Sequence, residues 1–363
     1  MYIIIKNGIF TAMWTAIGIS LVISILSIPI IIKICKRYSL YDPVNARKIH
    51  TGNIPRLGGV GIIASYIVGL LVYSIALRQM SFPRIFPIFI ASLIIFVFGI
   101  FDDVYEMKAR HKLPAQIIAT LIVILNGYEF RQIFDWVLPR WLSIPLSSGW
   151  MLGIINAYNL IDGLDGLCGS LSFLTMLVLG ILFRTFSDPL AGIFFILAAA
   201  LFGFLVYNWP PAKIFMGDGG SQFMGFMIAS APLYFSAGAL EYNKFLIMLV
   251  LVSIPMMDTI AAIWRRLRDH YPIFRPDRAH LHHKLLNIGF TRVQAMILLV
   301  AMQMLLCSVV YIISHMEKTI STLFLGIAYA FMIFFFTVVH YTNRAVNRRY
   351  KRKEASESTQ DDF

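Results

Sequence analysis

Two adjacent carboxylates, Asp102 and Asp103, close an apolar run in FVFGIFDDVYEMKARHK (Phe96 to Lys112), and Lys108, Arg110 and Lys112 follow at once. Paired acids repel each other, so a site that holds both gains from a nearby cation or a shared proton. A helix cap would account for one of them. Further on, NAYNLIDGLDGLCGS (Asn156 to Ser170) sets Asn156, Asn159, Asp162 and Asp165 at steps of three, which puts their oxygens roughly on one helical face. Gly163 and Gly166 let the backbone break and approach a ligand. Amides and carboxylates are hard oxygen donors suited to Mg2+. In KIFMGDGGSQ (Lys213 to Gln222), Asp218 starts an apolar block, where backbone N–H groups can receive phosphate.

Bases complete the set. RRLRDHYPIFRPDRAHLHHKLL (Arg265 to Leu286) carries His270, His280, His282 and His283 among Arg275, Arg278 and Lys284. Without a cysteine or Glu-x-x-His partner, the cluster reads as an anion site rather than a zinc site. YDPVNARKIHTGNIPRLGG (Tyr41 to Gly59) adds Arg47, Lys48, His50 and Arg56, and reads also as a basic loop that anchors topology. Asp258, after PMM in an apolar run, reads equally as helix packing or as support for the site.

These residues need a scaffold. Of the 363 residues, 58% are hydrophobic and 14% charged, where a soluble chain carries roughly a quarter charged. The apolar residues fall in blocks close to the roughly 20 that span a bilayer as helix. The expected fold is an all-α polytopic membrane protein of about eleven spans, centred near residues 12–35, 57–77, 85–101, 113–128, 146–161, 166–183, 190–207, 221–239, 245–264, 292–314 and 321–341. A tight polar hinge joins the fifth to the sixth. The great majority of the 31 Lys and Arg then lie on one alternating face, which the positive-inside rule places in the cytoplasm. The N-terminus is expected outside and the C-terminus inside, with the acids above at the cytoplasmic boundary. The first block lacks a basic n-region and a cleavage site, so it reads as a retained span. Residues 1–343 are read as one transmembrane domain. The tail 344–363, basic and then acidic, is expected to be disordered near anionic lipid. The net charge of +12 is mostly a topology signal and calls for no nucleic-acid partner. Cys35, Cys168 and Cys307 are spaced neither as a disulfide framework nor as a zinc site.

DPVNARKIHTGNIPRLGG, FDDVYE with Lys112, NAYNLIDGLDG, FMGDGGS and RPDRAHLHHKLL, in this order from Asp42 to Leu286, resemble the polyprenyl-phosphate N-acetylhexosamine-1-phosphate transferases. HLHHKLLNIGF departs from the three consecutive histidines of the branch that transfers phospho-N-acetylmuramoyl-pentapeptide. The chain is more similar to the branch that uses UDP-N-acetylglucosamine or a related UDP-N-acetylhexosamine and starts teichoic acids, O-antigen or other envelope glycans. The resemblance implies transfer of a sugar 1-phosphate to undecaprenyl phosphate in the bacterial inner membrane, with release of UMP. It implies Mg2+, or Mn2+ in its place, at Asn156 and Asp218. Asp102 and Asp103 would orient or deprotonate the lipid phosphate. His282 and His283 are grouped with them as catalytic and, with Lys48, Lys112 and His280, would hold phosphate oxygens. Asn159, Asp162 and Asp165 would border the nucleotide, and His50, Arg56, Arg275 and Arg278 complete the expected substrate contacts. A homodimer is compatible with this reading. The rival classes are the pentapeptide transferase and a membrane transporter. A transporter's charges would sit near the bilayer midplane and its halves would repeat; neither pattern is present. A CDP-alcohol phosphotransferase lacks support, since DGLDGLCGS has no arginine.

Overall fold

The computed structural model describes residues 2–41, 53–77, 82–105, 107, 109–185, 191–234, 238–272 and 280–360. The chain opens with α1 (Tyr2–Arg37), α2 (Gly58–Leu77), α3 (Phe82–Tyr105) and α4 (Ala109–Leu125). A small antiparallel hairpin, β1 (Gln132–Ile133) and β2 (Trp136–Val137), leads to α5 (Arg140–Ile161). Then come α6 (Leu167–Thr185), α7 (Ala191–Asn208) and α8 (Gly217–Ser230), followed by a 3-10 turn, Ala231–Tyr234. α9 (Gly238–Leu251), α10 (Ser253–Arg268), α11 (Leu281–Ile288), α12 (Arg292–Ile313) and α13 (Lys318–Gln360) complete the bundle.

This is an all-α, multi-pass membrane fold. Among the described residues seven helices are long and apolar enough to cross a membrane, or eight if the bent pair α9 and α10 is one span. Each of the eleven expected blocks contains helix, but α4, with 17 residues, and α8, with 14, are short. The block expected at 245–264 is two helices meeting at 67°. Pro255 explains the break: it has no N–H to give to the carbonyl of Leu251 one turn earlier. Gln303 of α12, wholly buried, supplies the missing donor at 2.8 Å and also donates to Thr175 Oγ1 at 3.0 Å. A freed carbonyl at membrane depth needs such a partner.

Small residues set the packing. In lipid, helices associate through close contact rather than hydrophobic exclusion. α8 is buried along nearly its whole length because Gly219 lies against Gly99 of α3 and Gly220 against Gly59 of α2; a methyl on Gly220 would sit 2.9 Å from Gly59 Cα. Ser20 and Ser24 of α1 donate to the Ile196 and Ala200 carbonyls of α7 at 3.1 and 2.7 Å. The cysteines are free and buried.

Two elements differ from expectation. α13 stays helical to Gln360, into the stretch expected to be disordered. KRKEAS is rich in helix formers, and extending an existing helix avoids the cost of nucleation. α11 was not foreseen. Its eight residues are stopped by Gly289 at φ +118.

Candidate active site

The C-terminus of α3, the N-termini of α4 and α8, the end of α5 and the start of α11 converge at one end of the bundle. The carboxylates of Asp102 and Asp103 are bonded differently. Asp103, with 2% of its side chain exposed, accepts from the Asp218 and Gly219 amides at 2.8 and 3.0 Å. It thereby caps α8 from another helix. Gly217, at φ +79, turns the chain so that those amides face it; a side chain there would place Cβ 2.7 Å from Asp103 Oδ2. Arg56 Nε lies 3.8 Å from the same carboxylate, and Arg56 Nη2 donates to the main-chain carbonyls of Asp103 and, at 3.3 Å, Asp102. The α8 amides expected to receive phosphate are therefore already taken by an internal carboxylate.

Asp102 accepts from the Met107 amide at 2.7 Å and forms a direct ion pair with Lys112. Lys112 Nζ is also 2.7 Å from Asp218 Oδ2. Two carboxylates from α3 and α8 thus converge on one cationic centre. Asp218 is the more open of the two, with 35% of its side chain exposed against 5% for Asp102. The Asn159 amide adjoins Asp218 and donates to Ser221 Oγ at 3.1 Å. Hard oxygens gathered around a shared cation are chemistry that fits Mg2+, which takes one or two carboxylates and completes its shell with phosphate and water.

The step-of-three ladder does not stay on one face. Each step of three falls about 60° short of a full turn, and α5 ends at Ile161. Asn156 accordingly points elsewhere: its Nδ2 donates to Gln116 Oε1 at 3.1 Å and to the Leu152 carbonyl at 2.8 Å. Gln116 continues to Gln222 Oε1 at 3.0 Å, forming an amide layer one helical turn from Lys112 and Asp218. Asp162 and Asp165 lie in the turn after α5. Asp165 accepts from the Ala212 amide at 3.1 Å, and Asn208 Oδ1 accepts from Gly166 N–H at 3.1 Å.

A cavity of about 340 Å3 opens beside this cluster, lined by Arg56, Asp103, Asn159, Asp162, Asp165, Asn208, Asp218, His280, His282, His283 and Arg292 among others. His282 lies over Gly163, where a methyl would be 3.1 Å from its Nε2. The His282 and His283 ring centroids are 4.4 Å apart. Burial, and then the charge of His283, hold the His282 imidazole down at about 3, so the ring is neutral near pH 7. Lys48, His50, Arg275 and Arg278 lie outside the described residues. Sequence reasoning missed Asn208, Arg292, Gln116 and Gln222. Lone amides inside apolar helices carry no local signal, and Arg292 was counted only as a topology base.

The model of glycosyl transferase family 4 matches residues 85–236, a stretch that contains every acid and amide of the cluster. Over 346 residues the chain is 30% identical to a probable undecaprenyl-phosphate N-acetylglucosaminyl 1-phosphate transferase of Bacillus subtilis, covering 92% of this chain and 94% of that protein. The chain belongs to glycosyl transferase family 4. It is also 29% identical over 290 residues to an undecaprenyl-phosphate alpha-N-acetylglucosaminyl 1-phosphate transferase of Escherichia coli K12, covering 76% and 77% of the two chains. A decaprenyl-phosphate N-acetylglucosaminephosphotransferase of Mycobacterium tuberculosis H37Rv is 32% identical over 276 residues, covering 67% and 68%. Arg56 and the histidine segment lie outside the part matched to the family 4 model, yet they close the same cavity.

Proposed function

We propose that this protein transfers N-acetylglucosamine 1-phosphate from UDP-N-acetylglucosamine to undecaprenyl phosphate at the cytoplasmic face of a bacterial inner membrane, starting an envelope glycan. The near full-length similarity to a probable undecaprenyl-phosphate N-acetylglucosaminyl 1-phosphate transferase carries the reading, and the Asp102–Lys112–Asp218 cluster beside the cavity supports it. An oxygen of the lipid phosphate attacks the sugar-bearing phosphorus of the nucleotide. The phosphorus–oxygen bond to the uridylyl phosphate breaks, giving a lipid-linked pyrophosphate sugar and UMP. The anomeric bond survives, so no carboxylate is needed at the sugar carbon. A prenyl phosphate is already largely ionised at neutral pH, its second pKa being about 6 by analogy with phosphoserine.

Three phosphates then meet in one cleft, and relieving their repulsion is the main catalytic task. Asp218 and Asp102, with the Asn159 amide, are the residues that would hold Mg2+; the bound ion would offset charge on the transferring phosphoryl group. Lys112 lies between the two acids and offsets part of their charge, leaving the cluster a net negative charge that a divalent ion would relieve. Arg56, Arg292, His280 and His283 supply further donors around the cavity. Asp103 acts by holding the start of α8, and Asp218 with it, in place. Membranes containing the protein, incubated with labelled UDP-N-acetylglucosamine and undecaprenyl phosphate, are expected to yield UMP and a labelled lipid. Absence of both products with the lipid acceptor present overturns the reading.

A further inference from the structure

Asp258 sits in the first half of α10 within an apolar stretch, 1% exposed. A carboxylate there is costly unless its oxygens are bonded. Both are. Oδ1 accepts from the Leu281 amide at 2.8 Å and Oδ2 lies 2.9 Å from His280 Nδ1. A carboxylate can only accept, so His280 Nδ1 carries the proton, which fixes the tautomer of a ring that lines the cavity. Capping Leu281 needs one oxygen, which a serine or asparagine could also provide; the second oxygen is the one that orients the ring. The His280 and His282 rings lie nearly parallel, 6° apart with centroids at 6.1 Å, so the orientation of one bears on the other.

We propose that Asp258 is a positioning residue that fixes the ring orientation and tautomer of His280 in the wall of the cavity that receives the substrates. This rests on the transferase reading above. A buried carboxylate that accepts from one ring nitrogen holds an imidazole in one tautomer and orientation, as in carboxylate–imidazole pairs generally. Asp258→Asn keeps the size of the side chain but offers only one oxygen, and its amide N–H favours the opposite tautomer of His280.

The test is a double-mutant cycle on purified full-length protein, with UMP release as the readout and thermal unfolding in detergent as the control. D258N is expected to lower kcat/KM roughly tenfold or more, the scale typical of a ring-orienting partner. It should cost less than about twofold in the H280A background, whereas a purely capping role would cost the same in both. D258E, which keeps both carboxylate oxygens, should recover part of the loss. Wild-type turnover in D258N, or an undiminished loss in H280A, overturns the proposal. If D258N does not fold, D258S takes its place in the cycle with the same expectations, since its hydroxyl can still cap Leu281. A wild-type protein that releases no UMP instead removes the transferase reading, and the same cycle read on thermal stabilisation by UDP then decides the role of Asp258.

Discussion

Asp103 gives both carboxylate oxygens to the first amides of α8, whereas Asp218 leaves a third of its side chain open to the cavity. Replacing them should therefore produce different defects. Asp103→Ala is expected to lose about 1–2 kcal/mol of stability through the vacated cap, read as an earlier melting transition in detergent. Asp218→Ala should melt near the wild type yet lose roughly a hundredfold or more in turnover; near-normal UMP release by that variant would dismiss Asp218 as a charge-handling group. The importance of both acids is legible in the residues themselves, because charge at the end of an apolar helix demands an explanation. Their division of labour is not legible, because Asp103 takes its role from amides 115 and 116 positions away. Asn156 and Asn159 show the same limit: the spacing marks both, and only helix rotation decides which one reaches Asp218.

Between α9 and α10 the break is written by Pro255, but its remedy, Gln303, lies 52 positions from the carbonyl it satisfies. Gln303→Leu is expected to leave that carbonyl buried and unpaired at a cost of about 1–3 kcal/mol, measurable as lost thermal stability with the metal response intact. α11 brings a pH dependence. His282 sits at about 3 in the folded protein, below its ordinary value of 6.5, so the unfolded chain takes up its proton first. The His282 contribution to stability is thus flat above about pH 6.5 and falls as pH drops from there toward 3, the slope following the extra proton bound by the unfolded state. His282→Gln should flatten that fall in unfolding curves recorded across the range; an unchanged slope would show that other groups cause it.

On the scale of the whole molecule, apolar blocks and the distribution of bases reveal an all-α membrane bundle, since block length and charge follow directly from the bilayer. They do not reveal that α4 and α8 are short or that one block is bent, because those features depend on neighbouring helices. If hard oxygens at this end of the bundle hold a divalent ion, EDTA should abolish transfer and Mg2+ or Mn2+ should restore it; turnover that persists in chelator would exclude that role. Cysteines introduced near Asp102 and Asp218 should both react with a reagent applied from the cytoplasmic side, and labelling from opposite sides would separate the two acids. The capping of α8 by α3 also has a bearing on biogenesis. The ribosome makes Asp103 long before the amides it binds, so a nascent chain halted before Gly217 would carry a buried-type carboxylate lacking those partners at the end of α3.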